Sequence, residues 1–168
     1  MKYITLLLVM LISFNSFADE LSDADDAYMR EDFPTAFKLY HKLADQGDLT
    51  GMFYVGYMFK KGMGVLQDYE QSVYWYNKAA EGGLPNAQTS LGFMYYSGEG
   101  VPKSYVKAHM FMNIASVNET SSEHPHLRLT HSQEMTKTKR DGIEELMTSA
   151  QVTESQKLAS EWMKKHPY

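Results

Sequence analysis

Apolar side chains recur at helical spacing along most of this chain. Two neighbouring segments show the pattern, with apolar residues at Ala87, Leu91, Met94 and Tyr95 in one and at Tyr105, Ala108, Phe111, Met112 and Ala115 in the other. Residues three and four positions apart lie on the same face of an α-helix. The pattern therefore predicts an all-α chain in which amphipathic helices follow one another in pairs.

A repeat with a period of 36 residues organises these helices. The segment GYMFKKGMGVLQD at 56–68 aligns with GFMYYSGEGVPKS at 92–104. The alignment matches glycine, methionine and valine positions and continues into aromatic and alanine positions downstream. Self-similarity at a period of 20 to 50 residues is typical of solenoids, in which supersecondary units stack on one another.

An earlier and partial copy precedes these two. The segment FKLYHKLADQG at 37–47 aligns with VYWYNKAAEGG at 73–83. Its loop is shorter, because REDFP at 30–34 replaces the glycine pair. We therefore predict three helical hairpins, spanning about 19–48, 49–84 and 85–117.

The repeated glycines raise the question of a phosphate-binding loop. Gly98, Gly100, Lys103 and Ser104 have some of its residue types, but the other repeat replaces the lysine and serine with Gln67 and Asp68. A phosphate loop also places glycine directly before its lysine and follows a buried strand, whereas here proline precedes Lys103. We therefore predict no nucleotide and no other cofactor.

A structural role accounts for every position of the motif. The first glycine of each loop ends a helix in the left-handed conformation, the valine packs into the core, and Asp68 or Ser104 caps the next helix, with Gln71 completing a capping box after Asp68. Gly56 and Gly92 lie mid-helix, where glycine is costly, and predict a close helix crossing. The predicted structural residues are Gly56, Gly62, Gly64, Val65, Asp68, Gly92, Gly98, Gly100, Val101 and Ser104.

The segments LGFMYYSGEGV at 91–101 and YWYNKAAEGG at 74–83 resemble the Sel-one-like repeat (SLR) family, relatives of the tetratricopeptide solenoids. The resemblance covers about residues 24–117, and the first unit departs from it by lacking the glycine loop. It implies a right-handed α/α solenoid of helical hairpins that binds a protein or peptide partner.

The C-terminal part resembles the polar cap that such arrays require. A polar connector is expected at 118–130 and capping helices at 131–168. One helix is expected at about 129–147, and a closing helix at 145–162 carries Leu158 and Trp162 one turn apart to cover the last apolar face.

The first 18 residues have the composition of a secretory signal peptide. Lys2 precedes an apolar run over 3–14, and Ser16 and Ala18 occupy the small-residue positions of a cleavage site. The run is too short to span a bilayer, which takes about 20 apolar residues. We expect cleavage after Ala18, a periplasmic or secreted product, and no integral membrane segment after cleavage.

The net charge indicates which kinds of partner the chain binds, and the cysteine content indicates whether disulfides stabilise its fold. The net charge of −5 disfavours nucleic acid, because binding phosphates takes clustered lysine and arginine. The acidic residues concentrate before residue 103, so one end of the molecule is acidic. With no cysteine, the chain forms no disulfide and its core is held by packing alone.

Two groups that contain histidine are candidate metal sites. His124, His126 and His131 lie in the polar connector, where a solvated linker competes with metal binding, and the sequence leaves this question open. His109 with Met112 has soft donors, but its spacing places Met112 on the packing face. We predict no metal centre.

A catalytic interpretation has little support in the sequence. Ser104 and Lys107 have the S-x-x-K spacing of penicillin-recognising enzymes, yet no Lys-Thr-Gly or Ser-x-Asn element accompanies them, and Ser104 already has a capping role. We predict no catalytic residues and no enzyme activity, with a hydrolase as the weakest alternative.

A surface is the stronger candidate site. In tetratricopeptide-like arrays the first helix of each pair lines the concave face, which selects Tyr54, Tyr57, Lys60, Lys61, Ser90, Phe93 and Ser97 as protein-binding positions. The alternative is that these rings pack between helices. We predict a non-enzymatic, exported protein-interaction adaptor. The other candidate is an immunity protein against a toxin delivered into the periplasm. The identity of neighbouring genes would distinguish the immunity role from the adaptor role.

Overall fold

The computed structural model describes residues 19–117 and 133–167, and these residues form helices and connecting turns without a strand. The eight helices are α1 (19–29), α2 (Phe33–Asp45), α3 (Leu49–Lys61), α4 (Tyr69–Glu81), α5 (Pro85–Ser97), α6 (Tyr105–Val117), α7 (Gln133–Glu144) and α8 (Ser149–Lys165). The all-α prediction is confirmed. The predicted signal peptide, the connector and His124, His126 and His131 lie outside the described residues.

The helix boundaries reproduce the sequence period. The second helices of the three hairpins begin at Phe33, Tyr69 and Tyr105, each 36 positions after the last. The chain divides into two compact units, one that ends at Gln67 and contains α1–α3, and one that begins at Asp68 and contains α4–α8.

A group of three tyrosines forms the centre of the first unit. The rings of Tyr40 and Tyr54 stack with their centroids 4.3 Å apart, and Tyr28 lies 5.7 Å from Tyr54. The Tyr40 hydroxyl donates to a carboxylate oxygen of Asp25 at 2.6 Å. Burial raises the pKa of Tyr28 to about 12 and raises the pKa values of Tyr40 and Tyr54 still further.

The first glycine of each glycine loop ends a helix, as predicted. The second glycine has a further role, because it lets the loop contact another helix. Gly62 and Gly98 end α3 and α5 with φ of 68° and 79°. A Cβ on Gly64 would collide with the Phe33 carbonyl, and a Cβ on Gly100 would collide with the Tyr69 carbonyl. In each unit the second glycine therefore allows the loop to pack directly on the start of an earlier helix. That helix is α2 for Gly64 and α4 for Gly100.

The predicted side-chain caps of Asp68 and Ser104 are present, whereas the predicted capping box of Asp68 and Gln71 is represented only by the Asp68 half. The Asp68 carboxylate accepts from the backbone N–H of Gln71 at 2.9 Å, and the Ser104 hydroxyl accepts from that of Lys107 at 3.2 Å. Val65 and Val101 are only partly buried, which corrects the prediction that they pack fully into the core. The first hairpin, which lacks the glycine pair, turns with Glu31 at φ 59°.

Gly92 lies at a close crossing of α5 and α6, as the sequence predicts. A Cβ placed on it would be 2.8 Å from the Cγ of Met112 and 3.2 Å from the Ala108 carbonyl oxygen. Gly56, the equivalent residue of the previous repeat, is also buried. Helices α5 and α6 approach closely because Gly92 has no side chain.

We expect Gly92→Leu to lower the free energy of unfolding by about 1 to 3 kcal/mol, because the added side chain overpacks this crossing. Urea denaturation followed by circular dichroism measures the change. Gly142→Ala is the matched control, since a Cβ there meets nothing within 4 Å and alanine gains up to about 1 kcal/mol in a helix. Equal midpoints for Gly92→Leu and the native chain would disprove the close crossing.

The C-terminal helices pack on the last repeat. The helix predicted over 129–147 ends at Glu144, and the closing helix begins at Ser149 because Thr148 and Gln151 form a capping box there. Trp162 of α8 contacts the Phe111 ring edge-on, with centroids 6.0 Å apart. Both α7 and α8 contact α6, so the terminal pair covers its apolar face.

Candidate interaction surface

Two of the predicted concave-face residues are buried and therefore inaccessible to a partner. Tyr54 is 2 % exposed and lies in the tyrosine group of the first unit, and Ser90 is 3 % exposed. Residues 53–56 of α3 and 86–92 of α5 are buried without interruption. A run of this length covers every side of a helix, so positions out of phase with one apolar face are buried as well.

The remaining predicted residues of the first unit lie near the end of α3. The Tyr57 ring is partly buried and stacks on Phe53 with centroids 6.5 Å apart, while the Lys61 ammonium lies 6.0 Å from the Tyr57 centroid. The Lys60 carbonyl accepts from the Gln67 side chain at 2.8 Å. Tyr57 and Lys61 thus remain partly accessible, and their role in binding stays a prediction.

In the second unit, Phe93 and Ser97 differ in their surroundings. Phe93 is partly buried and packs against the cluster of Ala108, Met112 and Ile143. Ser97 is exposed, and its hydroxyl donates to the Phe93 carbonyl at 3.0 Å. Much of the Phe93 ring therefore packs between helices, as the alternative interpretation predicts. Replacing Phe93 would disturb the core.

A group of three tyrosines and two lysines was missed by the sequence reasoning. We call it the tyrosine–lysine cluster, and it consists of Tyr95, Tyr96, Lys103, Tyr105 and Lys107. The Lys103 ammonium lies 5.6 Å from the Tyr96 centroid and 4.9 Å from that of Tyr105, and the Lys107 ammonium lies 5.0 Å from that of Tyr95. The sequence signal was two tyrosines at the end of one helix followed by lysines at the start of the next.

The S-x-x-K spacing does not build a catalytic pair. The Ser104 hydroxyl serves as the helix cap by accepting from the backbone N–H of Lys107. The Lys107 ammonium lies over the Tyr95 ring. The Ser104 hydroxyl is therefore engaged as a cap, and the Lys107 ammonium lies over an aromatic ring.

His109 is buried within a polar network that joins three helices of the second unit. Its Nδ1 lies 2.5 Å from the Ser155 hydroxyl and 3.3 Å from the Asn113 amide nitrogen, and its Nε2 lies 3.2 Å from a Glu144 carboxylate oxygen. The Asn113 amide oxygen faces Arg140 at 3.5 Å, which orients the amide nitrogen toward His109. Because that nitrogen only donates, Nδ1 is the acceptor and Nε2–H donates to Glu144.

This serine, histidine and carboxylate have the hydrogen-bond order of a hydrolase triad but not its accessibility. Ser155 is 0 % exposed and His109 is 1 % exposed. A substrate carbonyl therefore does not reach the hydroxyl, and a nucleophile needs that contact. Both ring nitrogens of His109 are engaged, and across 19–117 and 133–167 no three metal-ligating side chains are grouped for a metal ion.

We expect His109→Leu to lower the free energy of unfolding by about 1 to 3 kcal/mol, because it leaves the buried Ser155 hydroxyl without its acceptor. The double variant His109→Leu/Ser155→Ala should recover much of that loss, since no buried polar group is then left unpaired at this point. Thermal and urea denaturation measure both. Equal losses in the single and double variants would contradict the network.

No described helix, from 19 to 117 or from 133 to 167, is both long and apolar enough to cross a membrane.

Comparison with known proteins places these features in a family. The Sel1 repeat family model matches residues 25–48, 50–84 and 85–116. A search of curated protein sequences found no match. The three matched segments follow one another along the chain from residue 25 to residue 116.

Two solved structures are similar to this chain. A protective antigen present in uropathogenic Escherichia coli strains, which displays an SLR fold, matches with a TM-score of 0.76 and 27 % identity over 89 % of this chain. A Sel1 repeat protein from Oxalobacter formigenes matches with a TM-score of 0.51 and 31 % identity over 52 % of it. The chain spans 30 % and 25 % of the lengths of those proteins. Because the repeat matches cover more than half of its residues, this chain, with its all-α hairpins, belongs to the Sel1 repeat family.

Proposed function

We propose that this protein is an exported adaptor of the periplasm, which binds a protein partner through its Sel1 repeats and catalyses no reaction. Sel1 repeats imply a protein-interaction role, and the SLR fold is typically a non-catalytic scaffold. The observation that carries the proposal is the tandem array of matched repeats. Near the ends of their helices, tyrosine rings lie beside lysine ammonium groups.

The absence of catalysis is supported by the burial of Ser155 and His109, which form a serine, histidine and carboxylate set with Glu144. Ser155 and His109 are closed to substrate, and Glu144 alone of the three is exposed. The hydrolase alternative predicts turnover of a β-lactam by the purified protein. Such turnover, abolished by Ser155→Ala, would contradict our proposal.

Export is supported by the composition of residues 1–18. Fractionation of cells that produce the full chain, followed by mass spectrometry, should find a periplasmic product that begins at Asp19. Replacing Leu8 by Arg within the apolar run should retain the unprocessed chain in the cytoplasm. A full-length product in the cytoplasm of cells with the native sequence would contradict export.

Partner binding is tested by site-specific photocrosslinking in the native envelope. A photoreactive residue at Tyr57, which is partly exposed on α3, should give a discrete adduct with one protein. The same residue at Lys157, exposed on α8, is the matched control and should not give that adduct. The absence of an adduct at Tyr57, or identical adducts at both positions, would contradict binding through the repeats.

The identity of the crosslinked protein also separates the two biological roles. An envelope protein encoded elsewhere supports the adaptor role. A secreted toxin whose activity is blocked by this protein supports the immunity role. No contact among the described residues favours the immunity role, so the adaptor is our proposal.

A further inference from the structure

The tyrosine–lysine cluster has two exposed cationic groups. The ammonium groups of Lys103 and Lys107 lie over tyrosine rings, and neither forms an ion pair with a carboxylate of the described residues. A ring face attracts an ammonium without accepting its N–H donors in a conventional hydrogen bond. Both lysines are exposed, so these donors are available to a bound molecule.

The rings beneath the lysines are held in place by the fold. Tyr95 stacks on Phe111 with centroids 5.7 Å apart, and Tyr105 packs against the cluster that contains Ala108 and Met112. The backbone N–H of Ser104 donates to the Tyr95 carbonyl at 2.8 Å, which fixes the loop to the end of α5. A surface that is ordered before binding loses less conformational entropy when it binds.

Tyr96 adds apolar contact area to the charged groups. Its side chain is 38 % exposed, and its ring lies 5.8 Å from that of Tyr105. Tyrosine provides a large contact surface with a polar hydroxyl, which is why it is enriched in protein interfaces.

The charges of this cluster are not required by the repeat. At the equivalent positions of the previous repeat, Gln67 replaces Lys103 and Gln71 replaces Lys107. Both repeats nevertheless form the same loop and the same second helix. Because glutamine is compatible with the fold at these positions, the two lysines are available for recognition.

Charge complementarity decides the kind of occupant. The loop of this repeat contains one carboxylate, Glu99, which is partly buried, whereas the Lys103 and Lys107 side chains are both exposed. Carboxylates bound by lysine form charge-assisted hydrogen bonds, which are stronger than neutral ones. We propose that the tyrosine–lysine cluster binds an acidic peptide segment of the partner, with carboxylates on Lys103 and Lys107 and an apolar side chain on Tyr96.

This proposal rests on the protein-binding function proposed above, and a peptide titration tests it separately from partner capture. The probe is a fluorescent octapeptide of alternating glutamate and phenylalanine, and its neutral counterpart has glutamine in place of glutamate. We expect the chain from Asp19 onward to bind the acidic probe more tightly, with an affinity that falls as salt rises.

Variants locate the binding site. Lys103→Gln/Lys107→Gln introduces the residues of the previous repeat and should weaken binding of the acidic probe about tenfold or more. Lys78→Gln is the matched control, because the Lys78 ammonium lies 4.7 Å from the exposed Tyr74 ring outside the cluster. Unchanged thermal midpoints show that both variants remain folded.

Three results would overturn the inference: equal affinity for the acidic and neutral probes, unchanged affinity in the double variant, or an equal loss in Lys78→Gln. Photocrosslinking in the envelope distinguishes this failure from failure of the proposed function. If the double variant still gives the native adduct at Tyr57, the protein-binding function stands and the cluster is not its site. If the native chain gives no adduct, the proposed function itself fails.

Discussion

Stability should fall steeply as the pH rises above about 10, because the first unit buries two tyrosines that ionise far more readily once unfolded. Burial raises the pKa values of Tyr40 and Tyr54 well above the ordinary value near 10. Above pH 10 the unfolded chain therefore releases protons that the folded chain retains. The stabilisation is complete below pH 10 and is lost as the pH rises toward the folded pKa values.

Each fully buried tyrosine contributes a slope of about 1.4 kcal/mol per pH unit, so the pair contributes about 3 kcal/mol per pH unit. Urea denaturation at pH 9, 10, 11 and 12, with tyrosinate absorbance recorded in parallel, measures it. The double variant Tyr40→Phe/Tyr54→Phe should have a flatter dependence of unfolding free energy on pH. The stability of this variant at neutral pH should be lower, because Asp25 loses a hydrogen-bond donor.

Tyr74→Phe is the control for this experiment, since its side chain is 49 % exposed, and it should leave the pH dependence as in the native chain. If the double variant retains the native slope above pH 10, the buried tyrosines are not the cause of the alkaline unfolding.

Gly100→Ala should lower the free energy of unfolding by about 2 to 5 kcal/mol, since it adds two penalties. The backbone at Gly100 has φ 69°, where a side chain is disfavoured. The new Cβ would also collide with the Tyr69 carbonyl, which belongs to the first residue of α4 and moves only with the helix. Urea denaturation followed by circular dichroism measures the loss.

Gly98→Ala separates the two penalties. Gly98 has φ 79°, but a Cβ there comes no closer than 3.3 Å, to the Lys103 Cβ. This variant should lose only about 1 to 2 kcal/mol, the cost of the left-handed conformation. Equal losses in the two variants would show that the contact between the loop and α4 contributes nothing.

The repeat and its glycine loops could be predicted from the sequence because they are local. A left-handed residue that ends α3 or α5 and a side chain that caps α4 or α6 depend on neighbours a few positions away. Gly62, Gly98, Asp68 and Ser104 therefore have the roles that their spacing indicates. The family was predicted from the resemblance of the segments at 74–83 and 91–101, together with the 36-residue period, and the Sel1 repeat matches confirm it.

The predicted site was less accurate because exposure is decided by distant residues. Tyr54 and Ser90 occupy helical positions out of phase with the apolar face, which led to their assignment to a concave surface. Their helices are buried over consecutive residues, so no side of either run remains open. Phe93 packs against a buried cluster that includes Ile143 of α7, which lies 50 positions later in the sequence.

The sequence by itself determined the all-α class and the turn residues, because each follows from interactions within one or two helical turns. Only the tertiary structure decided that Gly64 and Gly100 contact a preceding helix, that His109 pairs with Ser155 and Glu144, and that tyrosines of α5 lie beneath lysines beyond its end. These contacts join residues that are far apart or on different elements, and spacing along the chain does not record the direction in which one helix meets another.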